Sequence, residues 1–456
     1  MTGAVPAAAG GGTTLELIRL LVLLVGATAL VALAARRVGL PYTVALVLFG
    51  LAASAALPTL RLGIGPELVL VVLLPALIFE AAYHTELAVL RPSLAAVGLL
   101  AVPGVLLEAA LVAVVLHLAA GLPASSAFVV GAMLAATDPA AVIASFQRLR
   151  APERLATLVE AESVFNDGTG IVVFAIAVRA IAQPTTPGDA LLAFVAAIVV
   201  SAAIGVVAGW LAAQVVATVN DHLVELAISL VLAYGSYLLA DGLGQSGVIA
   251  TAVAGLTLGA RGRQLGLGPR TIEALDTVWE FVAFLATALV FLLIGLAIPL
   301  GRLVEAVPAA AWAVLAVLVG RAVLVYGGVG GLEALARARA ARKRRRAGER
   351  GAGERGAESG QLLAAGARPG AVEETGDGLG GRDRAGVVPR AWLHVIAWAG
   401  LRGAVSVALA LSLPLDVPDR AFLQGITFGV VLFTLLVQAT TVDRLVRRLG
   451  VQGEAA

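Results

Sequence analysis

Long apolar runs, separated by short polar connections, recur along almost the whole chain and limit its fold more than any other feature. A helix needs about 20 apolar residues to cross a bilayer. Runs near that length fall at 15–35, 41–58, 67–86, 93–119, 124–147, 155–182, 188–218, 221–240, 246–261, 275–299, 306–328, 390–413 and 419–440. Charged residues make up 14% of the 456 residues, whereas soluble domains carry about 25%. We therefore predict an all-α polytopic membrane protein with about 13 transmembrane helices.

The arginine distribution assigns an orientation to these spans, because cytoplasmic loops of membrane proteins carry an excess of Arg and Lys. An odd number of spans places the two termini on opposite sides. With the N-terminus outside, the cytoplasmic loops hold Arg36, Arg37, Arg91, Arg148, Arg150, Arg154, Arg261, Arg263, Arg270, the Arg337–Arg346 cluster, Arg444, Arg447 and Arg448. The outer loops hold Arg61, Arg302 and Arg420, with Arg179 close by. We expect a protein of the cell membrane whose C-terminus is cytoplasmic.

Residues 331–388 differ in composition from the rest of the chain. They are rich in Arg, Glu and Gly, and such a segment cannot bury enough apolar surface to fold alone. We predict a mostly disordered cytoplasmic linker between the spans of 15–330 and those of 389–448. Its basic start is suited to anionic lipid headgroups, although a plain solvated linker is the favoured interpretation. A disordered outer N-terminus at 1–14 and a cytoplasmic tail at 449–456 complete the organisation.

Two spans are interrupted near their middle, the fifth by Ala136-Thr-Asp-Pro139 and the twelfth by Ala399-Gly-Leu-Arg-Gly403. The interruptions lie seven spans apart, so spans 1–6 and 8–13 would form two halves of opposite orientation. Broken helices at matching positions of inverted halves mark the binding site of many transporters. We therefore predict two inverted six-helix repeats with discontinuous helices in spans 5 and 12.

Thr137-Asp138-Pro139 has two interpretations. In the first, Thr or Asp caps a helix and Pro occupies its first turn. In the second, the break lines a polar cavity, because backbone groups freed inside hydrocarbon need polar partners. The two are compatible, since freed carbonyls and the Asp138 carboxylate together offer oxygen ligands to a hard cation. We favour an ion site.

The sixth span carries three acids and an amide in Glu160-Ala-Glu-Ser-Val-Phe-Asn-Asp-Gly168. Asp167 lies about 20 Å along the helix from Arg154, at ~1.5 Å per residue. At that depth an ionised side chain costs roughly 2.5–3.5 kcal/mol, and a bound cation or proton is the simplest compensation. At about 100° per residue, Ser163 and Asp167 share a face that Asn166 flanks, so all three can line one cavity.

Glu162 lies about 140° from Asp167 around the same helix and faces another neighbour. A buried glutamate without a partner is costly, and the mid-span cations are Arg321 and Arg402. We predict a structural salt bridge between Glu162 and Arg321 that takes no part in the chemistry. Glu160 returns to the Asp167 side, two turns nearer the cytoplasm, where it can lie at an entrance to the site.

Three further acids lie on other spans. Glu80, toward the cytoplasmic end of the third span, is either a snorkelling interface residue or another oxygen ligand of the site, and we favour the site. Glu108, midway along the fourth span, has no evident partner and can be inert or part of a pathway. Glu280 lies near a cytoplasmic end, which favours an interfacial role.

Other chemistry finds little support in the sequence. The chain has no cysteine, which excludes disulfides and thiolate metal sites. The four histidines are His84, His117, His222 and His394, none with a second His at metal-ligand spacing. An intramembrane hydrolase is therefore a remote alternative, whereas a cation channel would use the same acids in an open pore. The basic residues lie at membrane edges, so we expect no nucleic-acid partner.

Four motifs occur in order along the predicted spans: Thr137-Asp-Pro-Ala-Ala-Val142, Glu160-Ala-Glu-Ser-Val-Phe-Asn-Asp-Gly168, Trp279-Glu-Phe through Val290-Phe-Leu-Leu-Ile-Gly295, and Gly400-Leu-Arg-Gly-Ala-Val-Ser-Val-Ala-Leu-Ala-Leu-Ser-Leu-Pro414. Together they resemble the sodium/proton exchanger family in its bacterial and archaeal NhaP-type branch (cation:proton antiporter-1). The resemblance covers roughly 15–330 and 390–448. It implies a homodimer in which a core domain moves against a dimerisation domain, with two unwound helices crossing at the ion site.

The resemblance also implies roles for individual residues. The implied ion- and proton-binding set comprises Asp138, Asp167, Ser163, the Thr137 carbonyl, Glu80 and Asn166, with Na⁺ held at the two aspartates. The family's structural pair would be Glu162 with Arg321, in agreement with the angular argument. Arg402 would neutralise the ends of the crossing helices.

The function implied by the resemblance is secondary active antiport of Na⁺ (or Li⁺) against H⁺, without a cofactor. Na⁺ and H⁺ would compete for the buried aspartates, which are exposed alternately to the two sides. Asn166 precedes Asp167 where the family's other main branch has two aspartates, which resembles the electroneutral exchangers. A K⁺/H⁺ or broader cation antiporter keeps the same motifs and is the alternative. The family often has Asn-Ser where this chain has Thr287-Ala288, a pair that we place off the acid cluster.

Overall fold

The computed structural model describes residues 11–38, 40–56, 67–183, 185–219, 221–265, 268–298, 300–335, 337–338 and 388–451. Every regular element within these residues is a helix. Most of the predicted linker (336 and 339–387) lies outside the described residues, as do 1–10 of the predicted N-terminus and 452–456 of the predicted tail.

The helices of the described residues are numbered here in chain order. Their bounds are α1 Gly11–Val38, α2 Tyr42–Ala56, α3 Leu68–His84, α4 Leu87–Ala120, α5 Ala124–Met133, α6 Ala140–Leu149, α7 Glu153–Ala182, α8 Pro187–Val216, α9 His222–Gly242, α10 Gly247–Leu265, α11 Pro269–Ala297, α12 Gly301–Leu335, α13 Arg390–Trp398, α14 Ala404–Leu411 and α15 Arg420–Arg448. Within the described part of the chain, seven helices are long and apolar enough to cross a membrane. They are α4, α7, α8, α9, α11, α12 and α15. The predicted fold class is confirmed, and the shorter helices are consistent with about 13 spans.

Most helix ends fall within a few residues of the predicted spans, and the main exceptions share a cause. α12 continues to Leu335 and α15 to Arg448, past the predicted ends at 328 and 440. A hydropathy run stops at the first charged residues, whereas the helix continues where such side chains reach water. The predicted linker start at 331 is therefore wrong. The predicted N-terminal segment is also too long, since α1 begins at Gly11.

Both predicted interruptions are present. α5 ends at Met133 and α6 begins at Ala140, with Pro139 as the residue before its first turn. α13 ends at Trp398 and α14 begins at Ala404. The opposite orientation of the two halves stays a prediction.

The helices pack into two groups with a cavity between them. In the first group, α1–α3 with α8–α11, α2 packs on α11, α3 on α10, and α8 on both α9 and α10. In the second group, α4–α7 with α12–α15, α4 packs on α5 and α12, and α12 packs on α15. α3 and α11 of the first group contact α7 and α14 of the second. The broken helices therefore belong to one group and face the other across the cavity.

Two glycines fix the close approach of α2 to α11. A Cβ atom added at Gly50 would collide with the carbonyl oxygen of Leu292, and one added at Gly295 with that of Val47. Small residues allow such backbone contact between helices in lipid. Both helices line the cavity, so this contact sets the position of one of its walls.

The outer surface of α8 and α9 is apolar over most of their length. Its exposed side chains include Leu191, Val199, Val207, Leu230 and Leu238. Apolar surface of this extent belongs in lipid or against another apolar surface rather than in water. The chain is an integral membrane protein.

Candidate functional site

The two broken helices meet at Asp138. Its backbone N–H donates to the Leu401 carbonyl at 2.8 Å. Its carboxylate accepts from the N–H of Ala140 through Oδ1 and from the N–H of Ala404 through Oδ2, each at 3.0 Å. The capping interpretation is therefore correct for α6 and extends to α14, which the sequence did not predict. Each oxygen keeps a further lone pair, so capping leaves Asp138 able to bind a cation.

The contact between Asp138 and α14 depends on a glycine. Gly403 immediately precedes the first residue of α14. A Cβ atom at this position would collide with the Asp138 carboxylate. Any larger residue would therefore separate the two broken helices at the point where they cross.

Arg402 contacts both the C-terminal end of the first half of the first broken helix and the buried acid Glu108. Its side chain is 0% exposed, donates to the Ala136 carbonyl at 2.9 Å and forms an ion pair with Glu108. The Thr434 hydroxyl fixes the Arg402 backbone on both sides, at 3.1 Å to the N–H and to the carbonyl. The structure thus gives Glu108 the partner that the sequence left open, and Arg402 contacts a helix end as the resemblance implies.

A second ion pair lies beside the other broken helix, at the C-terminal end of α13. Arg321 donates to both carboxylate oxygens of Glu162 at 2.7 Å, the pairing that the angular analysis predicts. Arg321 also donates to the Ile396 carbonyl, at 3.3 Å from Nε and 3.2 Å from the terminal nitrogen. Ile396 lies in the last turn of α13. Each broken helix therefore has an arginine at its carbonyl end, and each arginine has its own glutamate.

Asn166 links the second pair to the first break. Its amide nitrogen donates to the Thr137 hydroxyl at 2.6 Å and to Glu162 Oε1 at 2.8 Å. Its amide oxygen accepts from the Thr137 N–H at 3.1 Å. Asn166 is absent from the described lining of the cavity, so the expectation that it lines the cavity beside Asp167 is wrong. Its polar atoms bond instead to Thr137 and Glu162.

Ser163 holds the same break from the cavity side. Its hydroxyl donates to the Thr137 carbonyl at 2.5 Å. Both residues line the cavity. The hydroxyl and carbonyl oxygens therefore present their remaining lone pairs to the same space.

Asp167 is the least satisfied acid of the site. It is 9% exposed, and its Oδ1 has no hydrogen-bond partner among the described residues. Leaving a buried polar atom without a partner costs about 1–3 kcal/mol, and more for a charged group. Asp167 and Asp138 line the same cavity, whose volume is about 800 Å³. The cavity is large enough for water and an ion, and a positive occupant would satisfy both carboxylates.

Further acids line the cavity toward one end of the helices. Glu80 and Glu160 lie on its wall, and Glu280 lies both on its wall and in a neighbouring surface groove. His84 connects this rim, with Nδ1 at 3.2 Å from Glu80 Oε1 and Nε2 at 3.3 Å from Asp276 Oδ1. The rim therefore presents several carboxylates to an approaching cation. The roles of Glu80 as an ion ligand and of Glu160 at the entrance stay predictions.

Thr287 lies closer to the acid cluster than its sequence position predicts. Thr287 lines the cavity that contains Asp138 and Asp167, so the expectation that the Thr287-Ala288 pair lies off the acid cluster is wrong for its first member. The rotation of α11 about its axis decides which residue faces the site, and an almost uniformly apolar helix gives little periodic signal for that rotation. Ala288 is fully buried.

Comparison with known proteins finds relatives that match most of the chain. The family model described as sodium/hydrogen exchanger, transmembrane matches residues 21–448. The Na⁺/H⁺ antiporter ApNhaP of Aphanothece halophytica is 35% identical over 420 residues, which are 91% of this chain and 71% of that protein. The Na⁺/H⁺ antiporter NhaP of Pseudomonas aeruginosa is 33% identical over 84% of this chain and 81% of that protein.

A solved structure has the same fold. The sodium proton antiporter MjNhaP1 from Methanocaldococcus jannaschii at pH 8 superposes with a TM-score of 0.70. The match covers 96% of this chain and 99% of that chain at 20% sequence identity. On the family match and the identity to its relatives, this chain belongs to the sodium/hydrogen exchanger family.

Proposed function

We propose that this chain is a secondary active transporter that exchanges Na⁺ for H⁺ across the cell membrane. The observation that carries the proposal is the Asp167 carboxylate, buried, with one oxygen free of any hydrogen bond in the described residues, on the wall of the same cavity as Asp138. Relatives named Na⁺/H⁺ antiporters match most of the chain, which supports the choice of ions.

The proposed Na⁺ site uses oxygen ligands, which hard cations prefer. Asp138 and Asp167 supply the charge, and the Ser163 hydroxyl and the Thr137 carbonyl supply neutral oxygens. Glu80 is the further acid on the wall, and Glu160 lies at the entrance. Asn166 acts as a positioning residue for Thr137, since its amide holds both the N–H and the hydroxyl of that residue.

Exchange follows from competition for the two aspartates. An ionised carboxylate in this buried position is costly without a partner, so a proton or a cation has to accompany it. The two packing groups lie on either side of the cavity, and a relative movement of the groups would expose the site to one side and then the other. The site can change its exposure when a cation or a proton is bound to the aspartates. Without either, moving the ionised carboxylates through the membrane costs too much free energy. Movement of Na⁺ across the membrane in one direction is then coupled to movement of H⁺ in the other.

The ion pairs have a structural part in this proposal. The Glu162–Arg321 and Glu108–Arg402 pairs neutralise charge beside the broken helices, and neither arginine lines the cavity. Asn166 is a neutral amide at a position where an aspartate would add a second titratable group beside Asp167. With one such group fewer, we propose that one Na⁺ is exchanged for one H⁺. Li⁺, which is smaller than Na⁺ and equally hard, is proposed as a second substrate.

The proposal extends to assembly and orientation. We propose a homodimer, in agreement with the resemblance and with the exposed apolar faces of α8 and α9. The N-terminus would lie outside and the C-terminus in the cytoplasm. The cavity reaches Arg148 and Glu280 at its rim, which this orientation places at the cytoplasmic side.

The decisive experiment replaces Asp167 with Asn. The purified variant, reconstituted in vesicles with a pH-sensitive dye inside, should show no Na⁺-dependent proton flux, because an amide cannot exchange a proton for a cation. It should elute from gel filtration as the unaltered protein does. Glu305→Gln, at an exposed position, is the matched control and should keep full exchange. Robust Na⁺/H⁺ exchange by the Asp167→Asn variant would refute the role of Asp167, and a K⁺ response larger than the Na⁺ response would reassign the ion.

A further inference from the structure

Ser406 is a second cavity-lining residue whose polar atom is left without a partner. It lies in the first turn of α14 and is 1% exposed. Its hydroxyl has no hydrogen-bond partner among the described residues. Ser406 lines the same cavity as Asp138 and Asp167. A buried hydroxyl in this condition requires an explanation, because most such groups in native proteins are paired.

The free hydroxyl contrasts with other hydroxyls in the helices of this chain. A helical Ser or Thr commonly donates to the carbonyl four residues earlier. Ser145 does so to Ala141 at 3.0 Å, and Thr169 to Phe165 at 2.9 Å. For Ser406 the corresponding residue is Arg402, which precedes α14, so the first turn of this helix offers Ser406 no internal carbonyl of this kind. The Arg402 carbonyl accepts from the Thr434 hydroxyl at 3.1 Å, and the Ser406 hydroxyl has no partner among the described residues.

The position of α14 brings this hydroxyl to the site. Asp138 Oδ2 binds the N–H of Ala404, the first residue of α14, and Ser406 follows two residues later in the same turn. α14 also packs against α7, which carries Asp167. Two buried oxygens without partners, Asp167 Oδ1 and Ser406 Oγ, therefore line one cavity from two different helices. A single occupant that accepts oxygen ligands would satisfy both.

We propose that the Ser406 hydroxyl is a direct ligand of the transported cation and completes the oxygen set on the side of the second broken helix. This inference rests on the proposed exchange function and adds a residue to its site. A hydroxyl oxygen is neutral, so Ser406 raises cation affinity without adding charge, and the charge balance between Na⁺ and H⁺ stays with the aspartates. A proton bound to Asp167 would make no use of this ligand, so the hydroxyl favours the cation over the proton.

The test replaces Ser406 with Ala and, in a second variant, with Cys. Both changes remove the hydroxyl oxygen, and Cys keeps the volume nearly unchanged. In proteoliposomes the apparent KM for Na⁺, measured at a pH high enough to suppress proton competition, should rise about three- to tenfold, the range for one lost polar contact. The maximal exchange rate should stay close to that of the unaltered chain. Loss of the maximal rate in both Ser406 variants, with Asp167→Asn inactive as proposed, would overturn the ligand role, whereas absence of Na⁺-dependent exchange in the unaltered chain would overturn the exchange function itself.

Ser236→Ala is the matched control. Ser236 is equally buried on α9, but its hydroxyl donates to the Ala233 carbonyl at 3.3 Å and it does not line the cavity. Its apparent KM for Na⁺ should be unchanged. An unchanged KM in both Ser406 variants would overturn the proposal, and so would a KM increase in the Ala variant that Cys reverses, since the effect would then be one of volume.

A thermal-stability measurement separates ligation from a structural role. Removing a buried hydroxyl that has no protein partner should leave the melting temperature in Na⁺-free detergent solution unchanged or higher. The increase in melting temperature on adding Na⁺ should be smaller in Ser406→Ala than in the unaltered chain. A lower melting temperature without Na⁺, with the full Na⁺-dependent increase retained, would assign Ser406 to packing and overturn the inference.

Discussion

At the scale of single residues, charge beside the site is balanced by two buried pairs. Glu108 and Arg402 are nearly inaccessible, as are Glu162 and Arg321. Pairs at this depth do not necessarily stabilise a fold relative to apolar residues, but losing one partner leaves an isolated charge. Arg402 also donates a hydrogen bond to the Ala136 carbonyl. The loss of Glu108 would therefore also disturb the point where the broken helices cross.

Glu108→Gln should destabilise the protein. Arg402 would keep its charge without a counter-charge, and the loss of one partner of a buried pair typically costs about 3–5 kcal/mol. The expected result is a clearly lower melting temperature in detergent. Glu305→Gln removes the acid of the exposed pair with Arg302, both more than half exposed, and should change stability by less than about 1 kcal/mol. Equal melting temperatures for the two variants would contradict a stabilising pair at Glu108.

Some side-chain partners could be predicted from the sequence, and others could not. Glu162 and Arg321 could be paired because a fixed helical angle turned Glu162 away from Asp167. The helical angle predicts that Asn166 lies at the edge of the cavity. Its hydrogen bonds to Thr137 hold the side chain away from the cavity instead, and the angle alone does not predict these bonds. The partner of Glu108 depends on how α4 packs against the crossing, which no local pattern reports.

At the scale of elements, the site depends on how two interrupted helices are joined. The carboxylate of Asp138 caps α6 and α14 together, so one side chain sets the relation between two helix ends. Both interruptions could be predicted because Pro139 and the glycines around Arg402 break an otherwise apolar pattern. Helix ends were less predictable, since helices extend past the apolar run into water.

Gly403→Ala should disrupt this junction. The added methyl group would collide with the Asp138 carboxylate, displacing a ligand and weakening the bond to Ala404. Misplacement of a functional group by about 1 Å can cost two orders of magnitude in rate, so Na⁺-dependent exchange in vesicles should fall at least about tenfold. Gly98→Ala, where nothing lies within 4 Å of the added atom, is the control and should keep its activity. Full exchange by Gly403→Ala would show that the junction tolerates separation.

At the scale of the whole molecule, the cavity between the two packing groups extends from the helix crossing to a rim of acids at one end. In the proposed orientation that end lies at the cytoplasm. The structure would then represent a state that is accessible from inside. The two-group packing was not predictable from the residues, because apolar helices in lipid give few signals of which neighbour they contact.

Single cysteines test the orientation directly, since the chain has none of its own. Ala182→Cys places a thiol at the exposed end of α7, and Gln264→Cys places one near the end of α10. A membrane-impermeant maleimide added to intact cells should label Ala182→Cys and leave Gln264→Cys unlabelled until the cells are made permeable. The reverse pattern would place the cavity rim outside.

The two glutamate–arginine pairs at the broken helices have an electrical consequence. Each pair sums to zero, so a displacement of the crossing relative to the bilayer carries no fixed charge from them through the transmembrane field, where one elementary charge is worth about 2.3 kcal/mol per 100 mV. Among the buried charges at the crossing, membrane voltage then acts only on the two aspartates and on what occupies them. Their combined charge in each half of the cycle decides whether the crossing contributes to a current.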